Sequence, residues 1–447
     1  MKRALGVLLS KKKFKVISLF TGAGGLDLGF EAAGFSMAVA VEFDPLARKT
    51  IKRNRPRWKL LAEGDIHKIS PKALRLASGF RRREADVILG GPPCQPFSKS
   101  AYWATGSTKR LKDERADTLN AMLSAVEEVL PKVVVIENVR GISYSKKDEG
   151  LKLLRSRFRA INKRCATSYA PVVVCLNAVD YGVAQYRERI FIIAFRDGQK
   201  FIAPHKTHGT DRRRFATAWD AIGTSIKSRD QQLQPSGKWA GLISSIPEGQ
   251  NYLHHTARGA GLPLFGWRTR YWSFLLKLAK DQPSWTIQAS PGPATGPFHW
   301  DNRLLSVGEM CSLQSFPKDW IIEGDYLAAR RQVGNAVPPA LAEAVARSIA
   351  ASLEGRTCST RDLKFSTKLK RLPPPKANRV GPVKAQYLKL DKRFDEHPGT
   401  GKGPRGLLIK RKPKSNSVRK LNIRTNRRGH NANRKIINGR RQNRSAA

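Results

Sequence analysis

Short runs of consecutive apolar residues, many of them β-branched, recur through the first half of the chain. Between them lie segments whose apolar residues fall at helical spacing. Val16-Ile17-Ser18-Leu19-Phe20 reads as a strand that ends in glycines, and Leu26 to Ala33 as a helix. Ala38-Val39-Ala40-Val41 reads as a second strand, ending at Glu42, and Val87-Ile88-Leu89 as a third that runs into Gly90-Gly91-Pro92-Pro93. Leu119, Met122, Leu123, Val126 and Val129 mark a helix within Thr118 to Leu130. Val133 to Ile136 and Ile190 to Ala194 are two further buried strands. Uninterrupted apolar strands need cover on both faces, so their alternation with helices predicts an α/β, doubly wound, mostly parallel sheet.

The alternation breaks after about Arg196. From Ala203 to Asp301 the chain is rich in Trp, Pro, Gly, Arg and His without regular strand–helix order, which suggests a smaller irregular lobe. Pro338-Pro339-Ala340 then opens a helix whose Leu341, Val345, Ile349 and Leu353 form an apolar stripe. This helix is expected to return to the first domain. The divisions expected are 1–200, 201–325, a returning segment 326–355, and a tail 356–447.

Charge changes the picture more than composition does. The 447 residues contain 83 Lys+Arg against 35 Asp+Glu, a net charge of +48, and 40 % are hydrophobic. That is apolar enough for a real core, and the charge favours a polyanionic partner, nucleic acid before an anionic membrane surface. Half of the excess lies after Gly355, where 28 basic residues face 4 acidic ones. This stretch contains Pro373-Pro374-Pro375 and Arg424-Thr425-Asn426-Arg427-Arg428 and shows little apolar periodicity, so it reads as mostly disordered. Even a solvated tail of this kind would hold DNA through phosphate contacts.

No apolar run approaches the ~20 residues of a membrane span. Ala4 to Leu9 is too short for a signal-peptide core and runs into Lys11-Lys12-Lys13. The five cysteines (Cys94, Cys165, Cys175, Cys311, Cys358) are widely spaced and lack a C-x-x-C pair, which indicates neither a disulfide framework nor a zinc site. A reducing, cytoplasmic location is the resulting expectation.

Phe20-Thr21-Gly22-Ala23-Gly24-Gly25 joins a strand to a helix, the setting of a nucleotide-type cofactor turn. Glu42 ends the next strand 18 residues after Gly24, where an acid meets ribose hydroxyls, and Asp65 follows in Glu63-Gly64-Asp65-Ile66. Asp27 stands where a pyrophosphate binder has its last glycine. A carboxylate there would repel an anion, which favours a cofactor with a ribose and no pyrophosphate.

Cys94 follows the strand at Val87 to Leu89, in a loop stiffened by Pro92, Pro93 and Pro96. Such a turn suits a nucleophile that must be held still. The other four cysteines are read as small buried hydrophobes. Glu137-Asn138-Val139 ends another buried strand, where the carboxylate is either a neighbour of a helix cap or a proton donor in the same cleft. In Gln185-Tyr186-Arg187-Glu188-Arg189 two arginines at i and i+2 of an extended segment point the same way. They serve the site or form a surface ion-pair edge.

These motifs, with Arg303 to Pro317 and Gln332-Val333-Gly334-Asn335-Ala336-Val337, resemble those of the DNA cytosine-5 methyltransferases and occur in the same order. The resemblance covers about residues 14–200 and 300–353. It implies a Rossmann-like S-adenosylmethionine domain with a small target-recognition lobe at Ala203 to Asp301. It further implies Cys94, Glu137, Arg187 and Arg189 as catalytic residues. Phe20, Gly22, Gly24, Leu26, Glu42, Asp65, Ile66, Pro92, Asn335 and Ala336 would line the cofactor. Ser98 to Asp117 would be a mobile loop carrying Lys109, Arg110, Lys112 and Arg115. Ser98, Arg110, Arg115, Gln185, Arg268 and Arg270 would meet DNA, with Arg212-Arg213-Arg214, Lys277, Trp239, Trp267, Trp272 and Trp285 nearby in the lobe. The family pattern does not extend to the tail.

The implied chemistry is addition of a Cys94 thiolate at cytosine C6, protonation at N3 by Glu137 and stabilisation of O2 by the arginines. The implied partners are double-stranded DNA and a cognate restriction endonuclease acting independently, with the enzyme a monomer. An RNA cytosine methyltransferase on the same scaffold is one alternative, although no cysteine here is followed by phenylalanine, as it is in the tRNA-modifying branch. A catalytically silent DNA-binding protein is another, against which stand the intact Cys94, Glu137, Arg187 and Arg189. Amino-methylating enzymes are disfavoured because their Pro-Pro motif needs no thiol.

Overall fold

The structure, a computed structural model, describes residues 14–93, 114–139, 149–224, 233–265, 272–356, 358, 363–366 and 373–388, except the side chains of 114–116 and 149. Six strands form one sheet: β1 Phe14–Leu19, β2 Phe35–Val41, β3 Val87–Gly90, β4 Val133–Asn138, β5 Val172–Asn177 and β6 Glu188–Phe195. Their spatial order is β2-β1-β3-β4-β6-β5. The pairs β1–β2, β1–β3 and β3–β4 are parallel, whereas β6 runs antiparallel to both neighbours. The fold is thus α/β with a mostly parallel sheet, and the strand order reverses between β1 and β3. Ligands of open sheets bind at such a reversal, beyond the carboxyl ends of the strands.

Alternate strand residues supply two cores. Ile17, Leu19, Ile88, Val134 and Ile136 pack on one face with Met122, Leu123, Val126, Phe158 and Ile161. Val16, Val87, Leu89, Val133, Val135 and Ile193 pack on the other with Phe30, Leu341, Val345 and Ile349. The helices concerned are α1 Gly25–Ala32, α4 Glu114–Val129, α5 Glu149–Cys165 and the late helix α9 Pro339–Leu353; α2 Pro45–Asn54 and α3 Pro71–Ala77 lie between α1 and α4 in sequence. Helix α9 does return to the sheet, as its stripe predicted. It crosses α1 so closely that a Cβ on Gly29 would stand 2.4 Å from the Cβ of Ala342.

Residues between the sheet and α9 form the second lobe and its junction. The lobe has little regular structure beyond α6 Ala218–Ile222 and two 3-10 turns, Ala240–Ser245 and Tyr252–His255. Its core gathers Leu242, Ile243, Ile246, Tyr252, Phe265, Leu275 and Phe298. Helices α7 Val307–Leu313 and α8 Tyr326–Asn335 follow. The return to the first domain comes earlier than residue 326. Met310, Phe316 and Trp320 already pack with Ala23, Leu28 and Ile51, and Glu323 N–H donates to Thr50 Oγ1 at 2.9 Å.

Within 356–447, positions 356, 358, 363–366 and 373–388 are described. Leu363 is buried against the α9 core, and the N–H groups of Lys364 and Phe365 donate to the fully buried carboxylate of Glu343 at 2.8 and 3.1 Å. Residues 373–388 are seated on the second lobe and end in α10 Ala385–Leu388. Two short stretches of sequence carry enough specific contacts to fix them despite the surrounding charge. Residues 389–447 lie outside the described residues.

Candidate active site

The loop after β1 turns through positive φ at Phe20 (57°), Gly22 (55°) and Gly24 (82°) and delivers the chain to the start of α1. The N–H of Gly22 donates to Glu42 Oε2 at 2.6 Å, and that of Asp44 to Glu42 Oε1 at 2.7 Å. One carboxylate at the end of β2 therefore fixes two loops. Burial pushes the Glu42 carboxyl above its usual range, against the pull of those backbone donors. A Cβ on Gly22 would meet nothing within 4 Å, so the loop borders open space. A Cβ on Gly24 would approach Ile51 at 2.8 Å and Trp320 at 3.3 Å, which makes glycine necessary there.

Beside Glu42 an open 410 Å³ cleft is lined by Phe43, Pro45, Arg48, Gly64 and Asp65. Phe43 is 72 % exposed, an unusual state for a phenylalanine, and faces a site that the motifs alone did not assign to it. Its signal in the sequence was an aromatic residue directly after the acid that ends a strand. Asp65 caps a 3-10 turn by accepting from His67 N–H at 3.1 Å, and Ile66 is buried beneath it. Leu26 is buried at the start of α1, while Asn335 ends α8 exposed, with Ala336 next to it.

The second half of the site depends on strand direction. Because β6 is antiparallel, its beginning lies at the edge where β3 and β4 end. The pairing Glu137↔Phe191 thus brings Arg189 beside Glu137, with Nε 2.9 Å from Oε1 and both side chains about nine-tenths buried (9 % and 10 % exposed). Burial raises the pKa of Glu137, while Arg189 and then Arg187 pull it down. A Cβ on Gly91 would lie 2.9 Å from Glu137 Oε2, and Asn138 Nδ2 reaches the Pro92 carbonyl at 3.4 Å. The carboxyl therefore sits against the backbone three residues before Cys94. Cys94, Ser98, Lys109, Arg110, Lys112, Trp267, Arg268 and Arg270 lie outside the described residues, as does the side chain of Arg115.

Arg187 does not share the position of Arg189. It is fully buried and donates to the carbonyls of Ile287 (3.2 Å), Gly334 (2.6 Å) and Ala336 (2.8 Å), so it ties the β6 entrance to the end of α8. Gln185 is fully buried, its backbone bridged to Ser284, and does not present its amide at the surface. Lys277 is buried and donates to Asn302 Oδ1 at 2.6 Å; burial lowers its pKa to about 8. Among the cysteines read as buried, Cys311 is, but Cys175 is exposed on the half-buried edge strand β5.

The other residues expected near DNA divide as well. Arg214 is held by Asp220 through two bonds of 2.6 and 2.9 Å, whereas Arg212 and Arg213 are exposed. Trp239 packs inside the lobe against Phe265. Trp272 and Trp285 are 50 % and 38 % exposed.

A glycine loop opposed by an acid, a proline turn and a buried glutamate paired with arginine thus share one sheet edge. Residues 14–351 match the family described as C-5 cytosine-specific DNA methylase. The chain belongs to that family. The methylase is 35 % identical over 367 residues to the Type II methyltransferase M.SacI of Streptomyces achromogenes, covering 75 % of this chain and 92 % of that protein. It is 38 % identical over 235 residues to M.AquIA of a Picosynechococcus strain, covering 52 % of this chain and 89 % of the relative. Among solved structures, the Entamoeba histolytica methyltransferase EhMeth shares the fold of the methylase with a TM-score of 0.53 at 17 % identity, covering 77 % of this chain and 99 % of that one. The methylase is a cytosine-5 DNA methyltransferase of the restriction–modification type, acting on DNA. Among its described residues no helix is long and apolar enough to cross a membrane.

Proposed function

We propose that the methylase modifies C5 of a cytosine swung out of a specific duplex sequence, through a transient bond between Cys94 and C6. The observation that carries this reading is the buried Glu137, paired with Arg189 and pressed against Gly91. Burial raises the pKa of this carboxyl, which favours the protonated form that can give a proton to ring N3. As the Cys94 sulfur adds to C6, the electron pair of the C5–C6 bond moves to C5 and charge develops at N3 and O2. Glu137 protonates N3, and Arg189, paired with it, would stabilise O2. Arg187 positions the strand from behind. After methylation, loss of the C5 proton to water expels the Cys94 thiolate, and N3 returns its proton to Glu137, which restores the ring.

The edge around Glu42 and the neighbouring cleft suits S-adenosylmethionine. Phe43, Glu63 and Asp65 line the cleft together with Arg48, Lys49 and Lys52, Glu42 directly precedes Phe43, and Gly22 leaves space where a Cβ would project. Phe20, Gly24, Leu26, Ile66, Pro92, Asn335 and Ala336 complete this binding edge. When bound, the group supplies an electrophilic methyl. C6 is buried in stacked DNA, so the target base must leave the helix, at a cost of a few kcal/mol. In the cell the modification would protect DNA from a cognate endonuclease working independently of this chain. An oligonucleotide duplex containing 5-fluorocytosine tests the mechanism, because fluorine cannot leave as a proton does. A covalent complex through Cys94, absent in Cys94→Ser, is expected; methylation that proceeds without such an adduct would overturn it.

A further inference from the structure

Residues 373–388 lie beyond the span shared with the family, yet they are built into the second lobe. Asn378 is their hub. Its N–H donates to Glu248 Oε1 at 2.7 Å and its side-chain oxygen accepts from Lys280 Nζ at 2.8 Å. Its side-chain nitrogen donates to Asp301 Oδ1 at 2.9 Å and to the Trp300 carbonyl at 3.2 Å. Lys280 and Glu248 form an ion pair of 2.6 Å with 5 % and 7 % of their side chains exposed. Such a pair needs its remaining donors and acceptors satisfied, and Asn378 and the Lys376 carbonyl (3.2 Å) do so.

The strap is fastened again further on. Gly381 N–H donates to the Ser244 carbonyl at 2.9 Å. Tyr387, 3 % exposed, joins the lobe core and stacks on Trp239 with centroids 6.2 Å apart. Its hydroxyl donates to the Lys238 carbonyl (3.0 Å) and accepts from Gly241 N–H (3.1 Å). Trp239 in turn meets Phe274 edge-on at 6.0 Å. Phe274 is two residues from the exposed Trp272, whose carbonyl is held by Asn251 Nδ2 at 2.8 Å. These contacts fall on residues 238–301 and lead to the exposed side of the lobe, not to the glycine loop.

We propose that Pro373–Leu388 is a working part of the lobe that reads DNA, holding residues 238–301 in the arrangement that recognises the target sequence. This rests on the proposed reading of that lobe as the one that meets DNA. In sequence, the strap is followed directly by residues 389–447, which carry 19 basic and 3 acidic residues.

The test uses the full-length chain carrying Asn378→Ala with Tyr387→Ala, beside Tyr387→Phe and Asn378→Asp. The substrate is a duplex bearing the site mapped by bisulfite sequencing of host DNA. In the double variant the KM for this duplex should rise at least tenfold and discrimination against one-base-changed duplexes should fall, while cofactor Kd stays within twofold. Tyr387→Phe keeps the ring stack and should recover most of the DNA affinity. Asn378→Asp sets a carboxylate against Glu248 and Asp301 and should show the same DNA-only defect. Unchanged DNA kinetics would overturn the proposal, and so would cofactor affinity falling in step with DNA affinity, which would mean a general stabilising role. A wild-type chain inactive on every duplex would instead strike the functional reading. The strap would then be judged by duplex-binding affinity, variant against wild type.

Discussion

Arg189 and Glu137 form a buried pair, Nε to Oε1 2.9 Å, assembled from two strands that run in opposite directions. The pairing does two things at once. It keeps a costly buried carboxyl from being uncompensated, and it puts a carboxyl and a cation side by side at the edge where β3 and β4 end.

The pair predicts a pH signature. Burial raises the Glu137 pKa and Arg189 opposes the rise, so activity that depends on the protonated acid declines as pH climbs through the raised value. Removing the opposing charge in Arg189→Met should lower the rate and shift the alkaline decline to higher pH. Glu137→Gln should reduce single-turnover methyl transfer by about 10²- to 10⁴-fold, the range for a general acid, and abolish that decline. Transfer of labelled methyl groups measured from pH 6 to 10 reads both; an unaltered alkaline limb in Glu137→Gln would remove the glutamate from the proton step.

The Glu42 carboxylate accepts from the Gly22 and Asp44 amides, and in the proposed reading it also holds the ribose. Glu42→Gln places an NH2 group against one of those donors and removes the charge that faces a cationic ligand. A hydrogen bond to a charged group contributes about 1.5–3 kcal/mol, so cofactor Kd should rise about 10- to 100-fold. Calorimetric titration of the DNA-free enzyme measures this directly, and an unchanged Kd would place the ribose elsewhere.

Asp27 gives a stability prediction. It is fully buried in the first turn of α1, and burial raises its pKa from 3.8 to about 7, helped by the charges of Glu42 and Glu31 and opposed by a hydrogen bond with Ser18. The folded state therefore binds a proton that the unfolded state releases between those values. Its contribution is intact below pH 4 and is lost as pH rises to 7, a change of about 4 kcal/mol. Asp27→Asn cannot ionise, so its stability relative to the parent chain should improve steadily from pH 4 to pH 7.5 in denaturant melts. A constant offset between the two proteins across that range would show that Asp27 is ionised in the folded chain.

Five of the six strands and the returning helix were legible because burial on two faces forces continuous apolar runs, as in Val133 to Ile136, and a four-residue stripe, as in Leu341 to Leu353; the half-buried edge strand β5 was not among them. Strand direction was not, since an apolar run reads the same either way, and so the reversed β6 and its pairing of Arg189 with Glu137 appear only in the fold. Alternation misled at Arg187, which precedes the first residue of β6 and follows a bridge to Ser284 instead of the strand's pleat. Gly22 and Glu42 stood out by spacing, whereas Phe43 is one unpatterned aromatic. The strap was hidden because its fixing points, Asn378 and Tyr387, are single residues among prolines and lysines.

The exposed aromatic pair yields the last prediction. Trp272 and Trp285 meet edge-on with centroids 5.5 Å apart, and Trp285 lies 5.3 Å from Tyr186, the residue before Arg187. Ser284 N–H bonded to the Ala184 carbonyl, and Tyr186 N–H to the Ser284 carbonyl, both at 2.8 Å, lock this row to the entrance of β6. Rings this exposed near the entrance of β6 can stack on bases displaced from the duplex, a contact that contributes about 1–3 kcal/mol per base. Duplex binding should quench tryptophan fluorescence, and Trp285→Ala should weaken binding about tenfold. Stacking releases no counterions, so the slope of log affinity against log salt should stay as in the parent chain, whereas Arg212→Ala with Arg213→Ala should flatten it. A flattened slope in Trp285→Ala, or no quenching, would show that the aromatic row faces away from the DNA.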